Sequence, residues 1–345
     1  MASSQPAMKN RSSKSLSGTM SIKIGLAVLS HHQPHQLLRL MRTLNATFEN
    51  PPIVCHHDFS KCALEDKLFP KNVRFIHPHL VTRWGHISVP LAALCAFRLL
   101  MESDAPDWFV LLSGSDYPVR PAAQIIDELS GNEYDAYLDC REVLYRALPP
   151  GQTARCGFGR PEWIPLAYDR YFAVPLFWWP RLSRTLLLTG TFPLRKKYVF
   201  LRNPSILRWF QAERPQHIYG GDFWFQANRK AIERLLNDPS LPDLVRYFRK
   251  RWNVDESLFH TVLCNQADLR ICKDHKRYEN WSGDGKHPKW LEIADMPKIL
   301  ASGAHFARKF RPDGVVQDLL DETILGIRGR RRRRAASAGL DLQFA

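Results

Sequence analysis

Two hydrophobic patterns alternate along the first 140 residues. Short runs with little polar interruption, at 22–29 (IKIGLAVL), 52–55, 73–76 and 108–112 (WFVLL), read as strands buried on both faces, as in a parallel sheet. Between them the apolar positions fall at helical spacing: Leu37, Leu38, Leu40, Met41 and Leu44, then a second set over 89–101. Strand, helix and strand within about 35 residues is the βαβ pattern, with parallel strands and a right-handed crossover. A helix over 122–129 and a strand over 134–138 complete a nucleotide-binding-like α/β half.

The pattern then blurs. From 143 to 205, prolines and glycines break every period, and Trp163, Tyr168, Tyr171, Phe172, Phe177, Trp178 and Trp179 alternate with cations. Core packing is the expected job of most of these rings. Regularity returns at Gly220-Gly221, which precede a short aromatic strand at 223–225. Helices follow over 230–236, 241–251 and from 254, the last with Asp255 and Glu256 in its first turn, where the macrodipole favours carboxylates. A strand over 269–272 and a final helix over 316–327 close the fold.

Polar residues gather where the strands end: His31 and His32, then His56, His57 and Asp58, then Asp116 behind Ser113-Gly114-Ser115. In an open α/β sheet those ends share the edge at which ligands bind. Gly114 permits close backbone approach and Pro118 stops the strand. Asp116 alone reads equally well as a loop brace or a cap for the next helix. His56, His57 and Asp58 are adjacent in a strand, point alternately and cannot converge on one ion, so no metal site is expected.

Charge and cysteine refine this picture. The formal charge is +15, and much of it lies at the ends. Residues 1–19 hold Lys9, Arg11 and Lys14 with no acid, are Ser-rich and are expected to be disordered, so that Met20 is a candidate start. Residues 328–345 hold Arg328 and Arg330 to Arg334, a disordered tail suited to peripheral contact with an anionic membrane. No nucleic-acid motif accompanies the charge, so no specific nucleic acid is expected. The seven cysteines are scattered without a C-x-x-C pair, which favours reduced thiols over a disulfide framework. No run approaches the roughly 20 apolar residues of a membrane span, and the N-terminus lacks a signal-peptide core. The expected location is cytoplasmic, peripheral to the inner face of a membrane, with the Golgi as the alternative.

Taken together, His31-His32, His57-Asp58, Arg83-Trp84-Gly85 with Ser88, the 112–118 segment (LSGSDYP), the 220–236 segment, Val254-Asp255-Glu256-Ser257 and Phe306-Ala307-Arg308-Lys309-Phe310 resemble the core-2/I-branching glycosyltransferases. That family includes β-1,6-N-acetylglucosaminyltransferases and peptide O-xylosyltransferases, and the resemblance runs from about residue 22 to 310. It implies a GT-A-like α/β fold with a mainly parallel central sheet flanked by helices. The implied layout is one domain over 20–327, with a nucleotide-binding half (20–142) and an acceptor and catalytic half (143–327).

The implied chemistry is inverting transfer of a sugar, N-acetylglucosamine or xylose, from a UDP-sugar to a hydroxyl of a glycan or protein. It implies no metal cofactor, and no Asp-x-Asp occurs in the chain. A leaving diphosphate must then be neutralised by cations. By position in the family pattern these are Lys309 and Arg277, with Lys276 and Lys273 as competitors for the second role. Glu256 matches the base that takes the acceptor proton, with Asp255 next in line. Asp58 matches a nucleoside contact, Asp116 and His32 lie on the donor side, and Trp224 is the expected acceptor contact. The competing class is a non-catalytic glycan- or nucleic-acid-binding protein using the basic surface.

Overall fold

The computed structural model describes residues 22–143, 167, 170–172, 174–175, 200–201, 217–282 and 287–326. The basic N-terminal segment, the Arg tail and most of the aromatic stretch between 143 and 205 lie outside the described residues. Strand β1 (Ile24–Ser30) leads into α1 (Pro34–Phe48), then β2 (Ile53–His57), β3 (Val73–Phe75), α2 (Ser88–Ser103) and β4 (Trp108–Ser113). β5 (Tyr117–Pro118), α3 (Ala122–Gly131), β6 (Ala136–Tyr137) and β7 (Arg141–Glu142) follow. Two short strands, β8 (Val174–Pro175) and β9 (Phe200–Leu201), pair antiparallel.

After these come β10 (Tyr219–Gly220), β11 (Gln226–Asn228), α4 (Arg229–Asn237), α5 (Leu241–Phe248) and α6 (Leu258–Cys264). The described chain ends with β12 (Ile271–Cys272), β13 (Arg277–Glu279), α7 (Met296–Ala301), β14 (Phe306–Arg308) and α8 (Val315–Thr323).

The main sheet has the order β12-β6-β11-β4-β1-β2-β3. β1 pairs parallel with β2 and β4, β2 with β3, and β12 with β6, while β11 runs antiparallel between β4 and β6. This is the α/β, mainly parallel architecture expected from the pattern. All six residues of β4 are buried, and alternation sends them to two cores. Phe109 and Leu111 pack with Phe97 of α2 and Phe259 of α6. Trp108, Val110 and Leu112 pack with Leu37 and Leu40 of α1 and with Leu320 of α8.

Three expectations change. The strand expected at 223–225 sits three residues later, at β11, because pairing with β4 and β6 selects Gln226, Ala227 and Asn228, and the Asn228 side chain then caps α4 at the Ala231 amide. The helix expected from 254 divides into a 3₁₀ turn, Val254–Glu256, and α6, so Asp255 and Glu256 are not first-turn charges of an α-helix. The reduced-thiol reading fails for two cysteines: Cys140, just past β6, and Cys264, the last residue of α6, form a disulfide. They stand 124 residues apart, a separation that carries no local signal.

That bridge closes a long loop and restricts the unfolded chain, an effect worth about 2–4 kcal/mol in comparable proteins. Reduction, or Cys140→Ser with Cys264→Ser, is expected to lower the thermal midpoint by several degrees in calorimetry. An unchanged midpoint under reductant would show that the bridge contributes nothing to stability.

Candidate active site

Beyond the carboxyl ends of β1, β2 and β4 sits a small second sheet in which β14 pairs parallel with β13 and antiparallel with β5. Register decides which side chains meet there. Arg277 lies opposite Phe306, and Glu279 opposite Arg308, so all four share one face. The Arg277 guanidinium accordingly rests 5.1 Å from the Phe306 ring centre, and Arg308 Nη1 donates to Glu279 Oε1 at 3.3 Å.

Asp116 stands in front of this face. Arg308 Nε donates to its Oδ1 at 3.0 Å, and Arg277 Nη1 lies 3.6 Å from its Oδ2. The Ser113 amide and hydroxyl also donate to it, at 3.1 and 2.5 Å. Asp116 is therefore both a loop brace and the partner of two guanidiniums, and it is not the cap of α3, whose N-cap is Pro121. Gly114 makes the close turn possible, since a Cβ there would lie 3.2 Å from Ser30 Cβ.

Of the three cations expected near 273–277, only Arg277 faces Asp116. Lys273 is exposed, and Lys276 pairs with Glu128 at 2.7 Å and Asp274 at 3.0 Å. Burial lowers the Arg277 pKa against the pull of Asp116. At Arg308, Asp116 and Glu279 outweigh burial and raise it. Burial and the nearby Asp222 carboxylate push Glu279 up to about 7.

Lys309 follows directly in the chain and is half-buried, its pKa lowered by burial and by Arg308. Its charge also reaches His32, whose pKa is lowered by burial first and Lys309 second. His32 stacks on His31 at 4.4 Å. Lys309, Arg308 and Arg277 thus gather positive potential at the ends of β1 and β4, and the lowered pKa of His32 keeps that imidazole neutral beside them.

Asp58 directly follows β2. Its carboxylate is fully buried and accepts from the Thr82 amide and hydroxyl at 2.7 and 2.8 Å and from the Ser60 hydroxyl at 2.5 Å. Those hydrogen bonds hold its pKa well below the carboxylate range despite burial. The group braces residues 79–82 against the end of β2, with His56 Nε2 accepting from the Leu80 amide at 3.0 Å.

Glu256 lies in the 3₁₀ turn, and its carboxylate pairs with Arg170 at 2.6 Å. Its carbonyl accepts from the Gly221 amide at 3.0 Å, which sets it beside Asp222. Only glycine fits at 221, because a Cβ would come within 2.1 Å of the Asp139 carbonyl oxygen. Asp222 in turn pairs with His275 at 3.2 Å, and its amide donates to Asp139 Oδ2 at 3.1 Å. Burial pushes Asp139 up to about 6, and burial with Glu256 pushes Asp255 up to about 7. Trp224 is half-buried, and the Arg308 guanidinium covers its ring at 4.7 Å, so one face of the expected acceptor contact is already occupied. Among the described residues no three His, Cys, Asp or Glu side chains gather so as to hold a metal ion.

Sequence reasoning named Arg308 only within the 306–310 motif and gave it no role. The signal was present: Phe306, Arg308 and Phe310 alternate, and both phenylalanines are fully buried. Arg170 sits in the aperiodic stretch, and Asp222, His275 and Glu279 had no local pattern to mark them.

A mainly parallel α/β sheet carries two arginines and a lysine at its carboxyl edge, with a carboxylate nearby, an arrangement able to hold an anionic group and accept a proton. The chain belongs to the Core-2/I-Branching enzyme family, whose description matches residues 57–142 and 195–300. It is 26% identical over 266 residues to the β-glucuronosyltransferase GlcAT14A of Arabidopsis thaliana, covering 73% of this chain and 52% of that protein. It is likewise 26% identical over 281 residues to GlcAT14B of the same plant, with 78% and 56% covered. The chain thus spans about half the length of these curated relatives.

Among solved structures, that of the WbbM bifunctional glycosyltransferase covers 83% of this chain and 45% of its own, at 11% identity and a TM-score of 0.38, too low to carry an argument. The cytoplasmic location expected from the sequence is corrected by the match to the Core-2/I-Branching enzyme family and to the plant β-glucuronosyltransferases. The disulfide agrees with an oxidising compartment. No helix among the described residues is long and apolar enough to cross a membrane.

Glu279 allows a test of this electrostatics. Its folded pKa of about 7 exceeds the usual 4.5, so the native state holds a proton that the unfolded state releases. Its contribution is fully present below about 4.5 and is lost as pH rises through 7. Glu279→Gln is therefore expected to gain stability relative to the parent between pH 5 and 8, by about 1–3 kcal/mol. Urea midpoints at both pH values check it, and a constant difference between the two proteins contradicts it.

Proposed function

We propose that the chain transfers a glycosyl group from a UDP-sugar to a hydroxyl of a glycan or protein, with inversion and without a metal. The observation that carries this reading is the cation set around Asp116. Two buried guanidiniums share one carboxylate there, with Lys309 beside them. Such a set suits the negative charge that develops on a departing nucleoside diphosphate, and in a water-poor site it is worth far more than in solution. In this reading Arg277 and Lys309 contact the diphosphate, and Arg308 fixes Asp116. Asp58 serves the nucleoside side through the segment it braces, and His32 completes that edge.

Glu256 is the base in this mechanism. The acceptor hydroxyl attacks the anomeric carbon from the face opposite the leaving diphosphate while its proton passes to the Glu256 carboxylate. One half-buried carboxylate is enough, since inversion needs a single displacement. The names of the relatives support a glucuronosyl donor ahead of the N-acetylglucosamine or xylose suggested by the sequence motifs. UDP-glucuronate, UDP-N-acetylglucosamine and UDP-xylose, each assayed with EDTA, make the panel that tests donor and metal together. A non-catalytic role would show as binding without turnover on every member.

Two variants probe the roles. Lys309→Ala should weaken UDP binding by about 1.5–3 kcal/mol, the usual worth of a charged hydrogen bond, as read by calorimetry. Unchanged affinity in a folded variant removes Lys309 from the donor site. Glu256→Gln should lower transfer by roughly 10²–10⁴-fold while UDP affinity stays near the parent value. Near-normal transfer would shift the base role to Asp255.

A further inference from the structure

We propose that Arg170 is a positioning residue that fixes the orientation and charge of Glu256, an inference that rests on the base assignment above. The ion pair is short, 2.6 Å from Nη1 to Oε2, and Arg170 is the more enclosed partner, with side-chain exposures of 16% and 31%. The pair is built into the backbone. The Arg170 carbonyl accepts from the Trp252 amide at 3.2 Å. The neighbouring Tyr171 carbonyl accepts from Arg251 Nε at 2.9 Å and from the Tyr247 hydroxyl at 2.7 Å. The chain that supplies Arg170 is therefore stapled to α5 and to Arg251 and Trp252, shortly before the 3₁₀ turn that carries Glu256.

The turn is held from its other sides as well. The Asn253 amide donates to the Gly85 carbonyl at 2.8 Å, and the Glu256 carbonyl is held by the Gly221 amide. With both backbones fixed, the guanidinium holds one carboxylate oxygen, Oε2, in a set direction. Side chains locked by such supports deliver the geometry that proton transfer requires. Among the described residues, Asp255 and Tyr171 are titratable groups beside the pair. Glu256 and Asp255 keep Arg170 protonated in spite of burial, while burial and Glu256 push the Tyr171 phenol up. Asp255 adds a second acid beside the base, so the Arg170 charge also limits repulsion between the two carboxyl groups.

The test uses the full chain with UDP-glucuronate, UDP-N-acetylglucosamine and UDP-xylose, comparing Arg170→Met, Arg170→Lys and Glu256→Gln. Arg170→Met is expected to lower kcat by about 10–100-fold and to move the acid limb of the pH–rate profile upward by about one unit. The UDP dissociation constant should stay within about twofold, and Arg170→Lys should recover most of kcat and the original limb. Adding Arg170→Met to Glu256→Gln should cost little more than Glu256→Gln alone, since the two act as a unit.

Arg170→Gln keeps a donor without the charge and carries the same test if the Met variant does not fold. An unmoved limb with kcat within about twofold of the parent and a lowered thermal midpoint makes Arg170 merely structural. That result, with Glu256→Gln impaired, overturns this inference alone. Weakened UDP binding in Arg170→Met makes Arg170 a donor ligand instead, and normal transfer by Glu256→Gln overturns both readings.

Discussion

A buried carboxylate between two buried guanidiniums is the constraint on which the site depends. Asp116 and Arg277 have no side-chain exposure at all, and Arg308 has little. Charges in that position persist only if each finds its partner, and removing one partner of such a group typically costs 3–5 kcal/mol. The second sheet meets this requirement. Pairing of β14 with β5 brings Arg308 to Asp116, and pairing of β13 with β14 brings Arg277 and Glu279 beside it. The next residue, Tyr117, extends the same logic, because its hydroxyl donates to the buried Asp321 at 2.7 Å and Arg39 salt-bridges that carboxylate at 2.8 Å. A single loop after β4 thus links α1, α8 and the end of the main sheet.

The charge balance in this cluster is uneven, and the imbalance has a direction. Two guanidiniums share Asp116, while Glu279, the other acid at hand, has its pKa raised to about 7 and is only part-ionised near neutrality. Lys309 and His32 both have lowered pKa values because neighbouring cations and burial disfavour more positive charge. An anionic ligand entering this edge relieves repulsion already present in the folded state. Such relief would favour the anionic leaving group of the proposed function.

The Glu256 side is organised by different forces. Backbone hydrogen bonds from Gly221, Asn253 and Trp252 set the position of the 3₁₀ turn, and the Cys140–Cys264 bridge ties the chain beyond Asp139 to the helix that follows Glu256. The two halves of the sequence also share one sheet, since β11 lies between β4 and β6. The loop of Asp116 and the segment that leads from β10 to Glu256 are consequently anchored to the same sheet.

Much of this was legible in the chain itself. Uninterrupted apolar runs identified β1, β2 and β4 because strands buried on both faces need no polar alternation, and helical spacing identified α1 and α2 for the same reason of burial. Turn chemistry at 113–118 located the loop of Asp116, and motif order gave the family. Other features depended on residues distant in sequence and had no local cause. The antiparallel insertion of β11 followed from its two neighbours rather than its own pattern. The disulfide joined cysteines 124 residues apart.

Which of Lys273, Lys276 and Arg277 faces Asp116 was settled by the register of β13 against β14, since one step along a strand reverses the face. Arg170 reached Glu256 across 86 residues. Sequence determined where burial and turning are compulsory. Tertiary structure decided which charges meet, because an ion pair needs two positions fixed at once and a local pattern fixes only one.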